Sequence, residues 1–356
     1  EYILRKILVT GSGGLIGSTV VKFFSDLGFS VTGIDNNMRQ NFFGSEASIQ
    51  ENLNCIIKEV KNYDHHAVDI RNAEEILKLF KDVRPELVVH CAAQPSHDLA
   101  AKIPLDDFHT NANGTLNLLE AARNYTKESP FVFLSTNKVY GDNPNKILIG
   151  ESETRWLIKE TKWENGIDET MSIDHCVHSL FGVSKTSADL LVQEYGRYFS
   201  MPTVCLRGGC LTGENHMGIG LHGFLSFLVK TNVFGLPYTI IGYKGKQVRD
   251  NIHATDVSSF IYEYYKSPRV GEVYNIGGGY SNSISVLEAI NLIEDISGNK
   301  QSYDYDNTPR VGDHICYYTN LSKLKKHYPS WKIQKNITQI IEAMVMKWKE
   351  KQIHEV

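Results

Sequence analysis

The sequence predicts an α/β protein built on a doubly wound parallel sheet, with a smaller α/β domain toward the C-terminus. Three observations carry that expectation. Short apolar runs alternate with amphipathic stretches through the first half of the chain. The apolar runs are near-continuous, as strands covered on both faces must be. Near residue 215 the texture changes to Gly-, Pro- and aromatic-rich pieces such as GFLSFLVK, FGLPYTIIG and YNIGGGYSN.

Taken in order, Lys6 to Thr10 reads as the first strand, Gly17 to Leu27 as a helix and Phe29 to Asp35 as the second strand. A third strand is expected just before HAVDIR, and others at Leu87 to Cys91 and Phe131 to Ser135. Helical patterns run from about Leu105 to Ala122, from Phe181 to Phe199 and from Ile337 to Lys351, the first two with apolar stripes on more than one face. The expected division is a first domain over 1–212 with a return segment at 248–266, and a second domain over 213–356.

Composition narrows the function classes. With 356 residues, 42% of them hydrophobic and 22% charged, the chain has enough material for one large or two coupled domains. A net charge of −4 gives no positive field to hold a polyanion, so neither nucleic acid nor an acidic membrane surface is an expected partner. Cys55, Cys91, Cys176, Cys205, Cys210 and Cys316 form no CxxC pair and no Cys/His cluster with zinc-site spacing. Reduced, mostly buried thiols and no metal are expected. No charged leader with an apolar core opens the chain, and no apolar run approaches the ~18 residues of a membrane span, so the expected location is the cytoplasm.

The first strand runs into GSGGLIG, which sets Gly11, Gly14 and Gly17 in a GxxGxxG arrangement with Leu15 and Ile16 opening the helix. Glycine here permits a tight turn and lets amides and the helix N-terminus approach a pyrophosphate. A helix packed closely on a strand also wants glycine, so the surroundings decide. Asp35, beside Asn36, closes the next apolar strand about 20 residues on, where a carboxylate can accept ribose hydroxyls and repel a 2′-phosphate. Asp69 and Ile70 follow the third strand and could face an adenine. After the fourth strand come the small residues of HCAAQ, where Ala92, Ala93 and Gln94 would let a cofactor press against backbone. NAD is expected rather than NADP, with Arg39 pulling the other way.

Across essentially its whole length the chain resembles the extended short-chain dehydrogenases/reductases. Besides the glycine loop, the motifs are NANGTLNLLEAA from Asn111, STNKVYGD from Ser135, FGVSK from Phe181 to Lys185, KQVRDNIH from Lys246 and NIGGG from Asn275, in the family's order. The resemblance implies a Rossmann domain binding NAD, with Asn111 and Lys185 among its cofactor contacts, and a substrate-binding domain made mainly of 213–356. It implies a nucleotide-sugar substrate approached by Thr136 and Asn137. Arg249 would meet the diphosphate and Arg310, in PRVGD, would lie near the nucleotide, where a guanidinium fork suits phosphate better than an ammonium. Asp313 of the family's tail is present, while Asn320 stands where an aspartate is common. A homodimer through a four-helix interface is implied as well.

Within the family, STNKVYGD, ESETR from Glu151 and NGIDE from Asn165 look most like members that epimerise carbon 2 of a CDP-hexose by transient oxidation with tightly bound NAD. A 4-epimerase or oxidoreductase acting on a UDP- or other NDP-sugar stays open, as does a catalytically silent sugar-nucleotide binder. In the family's 4,6-dehydratases an Asp-Glu pair follows the active-site threonine. Here Asn137 and Lys138 stand there, and neither can be the carboxylic acid that dehydration needs.

One position departs from the family's YxxxK signature. Thr136 and Lys185 match it, but Phe181 stands where the tyrosine belongs. In the family's chemistry the phenolate removes a hydroxyl proton while the lysine holds the nicotinamide ribose and lowers the phenol pKa from about 10. Phenylalanine has no proton to exchange. Nearby substitutes are His178, His175, Asp174, Cys176 and Tyr140, with His178 foremost because an imidazole pKa of about 6.5 suits proton transfer at neutral pH. A replaced tyrosine, another natural base and lost turnover all fit this residue. His216 and His222, in ENHMGIGLHG, are expected over the sugar.

Overall fold

In the computed structural model the described residues are 4–45, 48–214 and 223–354, with the side chains of Arg39, Phe42, Phe43 and His354 outside that set. His216 and His222 therefore lie outside the described residues, as does the side chain of Arg39.

Ile7, Leu8 and Val9 are fully buried, as are Leu87, Val88, Val89, Phe131 and Val132, because helices cover both faces of their strands. These segments belong to a seven-stranded sheet in the order Glu272–Ile276, Thr203–Gly208, Phe131–Thr136, Leu87–His90, Lys6–Thr10, Ser30–Ile34, Tyr63–His66. The pairings of Lys6–Thr10 with both its neighbours, and of Phe131–Thr136 with both of its own, are parallel. The order reverses between Lys6–Thr10 and Leu87–His90, and open α/β sheets bind ligands at such a switch point, beyond the C-terminal strand ends. Gly11, the HCAAQ segment and Thr136 all sit at that end. The doubly wound expectation holds. The third strand is the polar run Tyr63–His66, which an edge position permits.

The chain divides into two compact units, one of Glu1–Val139, Leu180–Gly208 and Val257–Tyr274, the other of Tyr140–Ser179, Gly209–Asp256 and Asn275–Val356. This differs from the division at 212 and from the return at 248–266. Tyr140–Ser179 joins the second unit because its strand Ile149–Glu151 pairs with Trp156–Ile158, whose Trp156 amide donates to the carbonyl of Lys246. The strand Val248–His253 stays in the second unit because it pairs with Ser283–Ser285, Cys316–Tyr317 and Cys210–Thr212. What returns to the first unit is the body of the helix Ala254–Lys266, where Tyr262 and Tyr265 meet Phe24 and Phe29 edge to face at 6.0 and 5.5 Å.

The pattern expected as one helix from Leu105 is broken. Pro104–Phe108 is α-helical, His109–Asn113 is a π-turn and Gly114–Tyr125 is α-helical again. Such bulges collect where a side chain is needed inside the helix line, and here Asn111 is that side chain. The helix expected from Phe181 runs Ser179–Phe199. Its Asp189 is buried against Arg207 of the strand Thr203–Gly208, with Arg207 Nη2 2.8 Å from Asp189 Oδ1.

Among the described residues, no helix is long and apolar enough to cross a membrane. Cys205 and Cys316 are buried thiols, but Cys55 is exposed and the other three are partly so, which corrects the expectation of mostly buried cysteines.

Candidate active site

The glycine loop is dictated by steric limits. Gly11 turns with φ +66°, and a Cβ there would lie 2.8 Å from the Ala92 nitrogen; a Cβ on Gly17 would lie 2.0 Å from the Gly11 carbonyl oxygen. Strand and helix can therefore approach only with glycine at both positions. The helix Leu15–Asp26 begins at Gly14 with no side chain capping it and no acidic residue in its first turn. Its free amides and dipole fit an anion, and a dinucleotide's pyrophosphate suits that end.

Asp35 is placed at the neighbouring strand end. One carboxylate oxygen accepts the Gly13 amide at 3.0 Å and the other the Asn37 amide at 2.8 Å. Burial pushes its pKa up, against those amides and the nearby His65 imidazole. Each oxygen keeps a lone pair for a ribose hydroxyl. Asp35 thus braces the loop as well as offering the acceptor. Asn36 is exposed. Replacing Asp35 by asparagine removes the charge and turns one of its two acceptor oxygens into a donor, so the ratio of NADP to NAD affinity is expected to rise about tenfold, or about 1.4 kcal/mol. Titration of both dinucleotides reads this out; a ratio that does not move removes Asp35 as the discriminator.

The other expected cofactor residues divide into two kinds. Asp69 is held in a fork by Arg71, at 2.7 Å from Nη2 and 3.0 Å from Nε, and hydrogen bonding to that guanidinium draws its pKa down. Ile70 is a core residue against Gly114. The Ala92 amide donates to Thr10 Oγ1, and Ala92 and Ala93 remain partly exposed. Gln94 and Asn111 are buried and bound to each other: the Gln94 amide donates to Asn111 Oδ1 at 2.9 Å, and Asn111 Nδ2 returns to the Gln94 carbonyl at 3.0 Å. Gln94 Nε2 also reaches the buried Asp107 at 2.7 Å, and Asn111 Nδ2 reaches Ser184 Oγ at 3.0 Å.

Around the catalytic signature, Thr136 ends its strand half-buried, and its Oγ1 accepts the Lys138 amide at 3.1 Å. Asn137 beside it is buried. Lys185 is buried with Nζ donating to the Leu134 carbonyl at 2.8 Å and lying 4.4 Å over the Phe133 ring. His90 bridges Thr10 and Thr115 with its two ring nitrogens, and burial pushes its pKa down to about 3, which makes it a neutral core residue. Phe181 is buried, and its ring meets His97 edge to face with centroids 4.8 Å apart. His97 was absent from the sequence-derived candidates. It stands 84 residues from Phe181 and no local pattern connects them.

The second unit reassigns several motif residues. Tyr140 is fully buried and its hydroxyl donates to Asn275 Oδ1 at 2.6 Å, so it is not a free base. Asn275 also donates to the Ile167 carbonyl, and its amide is accepted by Glu169 at 2.7 Å. STNKVYGD, NGIDE and NIGGG are therefore stitched together at one asparagine. Arg155 of ESETR clamps Glu288 bidentately at 2.6 and 2.9 Å and donates to Ser283, a structural clip on the helix Val286–Ser297. His178 lies 3.4 Å from Cys176 Sγ, whose thiol burial pushes up, so this pair is no thiolate dyad. His175 and Asp174 are exposed loop residues.

Arg249 lies near Asp313, whose backbone amide donates to the Arg310 carbonyl. Arg249 Nη2 is 3.9 Å from Asp313 Oδ1, a loose pairing that leaves guanidinium donors for another anion. Arg310 and Asp313 act oppositely on the half-buried Tyr238, whose pKa desolvation raises to about 12, and Arg249 and Asp313 do so on Tyr243.

Residues 7–277 match the family described as NAD dependent epimerase/dehydratase. The chain is 33% identical over 297 residues to CDP-paratose 2-epimerase of Salmonella typhi, covering 82% of this chain and 84% of that protein. It is 30% identical over 309 residues to a dTDP-glucose 4,6-dehydratase of Escherichia coli, covering 84% and 79%. Among solved structures it is similar to UDP-glucose 4-epimerase of Thermotoga maritima with UDP-glucose, at TM-score 0.80, 26% identity and coverage of 98% and 100%. The Thermus thermophilus UDP-glucose 4-epimerase complex with NAD gives 0.78, 25% identity and coverage of 97% and 99%.

Proposed function

The chain belongs to the NAD dependent epimerase/dehydratase family of nucleotide-sugar enzymes, and from that premise we propose that it epimerises carbon 2 of a CDP-hexose by transient oxidation. The observation that carries this reading is an intact Thr136 and Lys185 frame in which the residues after the threonine, Asn137 and Lys138, offer no carboxylic acid. Elimination of water needs that acid; epimerisation does not. The likeness to a CDP-paratose 2-epimerase over four-fifths of the chain supports the sugar and the carbon.

NAD supplies the acceptance and return of hydride. Gly11, Gly14 and the amides of Leu15, Ile16 and Gly17 would hold its pyrophosphate, Asp35 its adenosine ribose and Lys185 its nicotinamide ribose. Thr136 offers its hydroxyl to the reacting sugar oxygen, since the Lys138 amide takes one of its lone pairs while its O–H remains a donor. Arg249 takes the substrate diphosphate and Arg310 the nucleotide end.

A panel of CDP-, UDP-, GDP- and dTDP-sugars in deuterated solvent tests the reading. The expected result is a CDP-sugar epimer without deuterium at the inverted carbon. Deuterium there means proton abstraction at carbon, and product from a UDP-sugar alone means a 4-epimerase or oxidoreductase. One observation favours a silent binder, namely the hydrocarbon ring at 181; tight binding with no product anywhere in the panel would establish it.

We also infer a homodimer. Leu105, Phe108, Leu180, Val183, Leu190 and Tyr198 of the first unit are exposed apolar side chains, and Leu105 and Tyr198 are each 74% exposed. Positions 180, 183 and 190 fall on one helical face. Light scattering during gel filtration should give twice the chain mass of 40.2 kDa. Replacing Leu190 and Tyr198 by glutamate should give monomers; an unchanged mass would place the interface elsewhere.

A further inference from the structure

We propose that His97 is the acid–base group of this site, taking the part that a phenol would play at position 181; the inference rests on the epimerase reading above. Three observations within the first unit support it. The His97 ring is in direct contact with Phe181, at 4.8 Å between centroids and 62° between planes. It is partly exposed while Phe181 is buried, so the imidazole reaches the surface that the phenyl ring does not.

Its position is also fixed. The Ser96 amide donates to Gln94 Oε1 at 2.7 Å, and Ser96 Oγ caps the following helical turn through the Leu99 amide at 3.2 Å. Gln94 is locked to Asn111, Asn111 Nδ2 donates to Ser184 Oγ, and Ser184 Oγ donates to the Phe181 carbonyl at 3.0 Å. A buried run of hydrogen bonds thus ties the backbone at 96 to the backbone at 181, as a preorganised catalytic pair requires.

Burial acts on each of the other titratable groups nearby. Burial pushes the Cys91 thiol up to about 12 and the His90 imidazole down to about 3, with both His90 nitrogens bonded. Asp107 is buried under Gln94 and Asn111. Lys185 is held on the Leu134 carbonyl.

In the step, the sugar O–H bond breaks and its proton passes to an imidazole nitrogen. The carbinol C–H leaves as hydride to the oxidised nicotinamide dinucleotide and the carbonyl C=O forms. On return of hydride to the opposite face, the imidazolium gives the proton back to oxygen. Nothing is consumed over the cycle.

The test compares the parent, His97→Ala, His97→Gln, Phe181→Tyr and the Phe181→Tyr/His97→Ala double variant on the nucleotide-sugar panel, with calorimetric binding of NAD and CDP. His97→Ala and His97→Gln are expected to lower turnover about 100-fold, a usual worth of a positioned acid–base group, with both affinities unchanged within about threefold. The phenol in the double variant should recover at least about tenfold over His97→Ala, since it restores a proton acceptor at the same place. Parent-level turnover in His97→Ala overturns the proposal, as does a loss of affinity in step with the loss of rate, which marks a packing residue. A silent parent made active by Phe181→Tyr overturns it too while leaving the epimerase reading intact. Silence in both parent and Phe181→Tyr overturns both.

Discussion

Replacing Lys185 by methionine is expected to lower turnover by about 10²- to 10⁴-fold without destabilising the chain. The ammonium is buried, Nζ donates to the Leu134 carbonyl, and the Phe133 ring lies beneath it. Burial pushes its pKa from 10.5 down to about 8, against the pull of Cys91, Asp189, Cys205 and Asp107. Such a group is costly to keep as a cation, and a buried amine with a lowered pKa beside a strand end marks a candidate functional position. The pH dependence has a definite sign. Below about pH 8 the folded and unfolded chains are both protonated, and the burial penalty is fully present. Between about 8 and 10.5 the folded chain releases its proton first, so stability rises through that window. Methionine fills similar space without the charge, so the variant should match or exceed the parent's stability at pH 7 and lose the rise above pH 8. Turnover within tenfold of the parent, or a fall in stability that accounts for the lost rate, would make Lys185 a structural residue.

The parts of the site legible in the sequence are those whose cause is local. The glycine spacing could be read because Gly17 must abut the Gly11 carbonyl at a distance no Cβ tolerates. Asp35 stood out because it closes an apolar strand, and in the structure its carboxylate accepts the Gly13 and Asn37 amides beside the glycine loop. The apolar strands Lys6–Thr10, Leu87–His90 and Phe131–Thr136 were legible because burial on both faces leaves an unbroken hydrophobic run.

What stayed hidden depends on partners far along the chain. Tyr140 resembled a spare phenol, yet its partner Asn275 is 135 residues away. ESETR read as a mark of substrate type, but Arg155 clamps a helix cap 133 residues on. The domain edge at 212 followed a change of composition, whereas the compact units follow strand pairing, and Tyr140–Ser179 pairs with later segments. His97 follows the small residues of HCAAQ with nothing nearby to single it out. Its meaning arises only when the π-turn at Asn111 and the helix at Ser184 bring Phe181 against it.

The second large effect is on stability. Replacing Asp189 by alanine is expected to cost about 3 to 5 kcal/mol in a urea titration, the penalty for breaking a buried pair and leaving one charge behind. Asp189 and Arg207 are both buried in the first unit. Oδ1 accepts Arg207 Nη2 at 2.8 Å and Gln193 Nε2 at 2.6 Å, while Oδ2 accepts Arg207 Nε at 3.0 Å and Ser135 Oγ at 2.6 Å. All four acceptor directions of the carboxylate are thereby used. Burial alone would raise its pKa, but the Arg207 charge and the bonds from Arg207, Ser135 and Gln193 together more than offset it and hold the carboxyl below its ordinary value. The stabilisation is therefore present above about pH 4 and is lost as pH falls through the depressed folded-state pKa. Alanine would take from the buried guanidinium the carboxylate that accepts Nε and Nη2. The double variant Asp189→Leu/Arg207→Met removes both charges and should recover most of the loss, because a hydrophobic replacement for a buried pair is often neutral. It should also lack the steep acid destabilisation of the parent. Lys185 lies one helical turn before Asp189, so the double variant should keep measurable turnover if the pair serves the fold alone. A cost below about 1 kcal/mol for Asp189→Ala would mean that water reaches Arg207 and that the pair is not the lock between this helix and its strand.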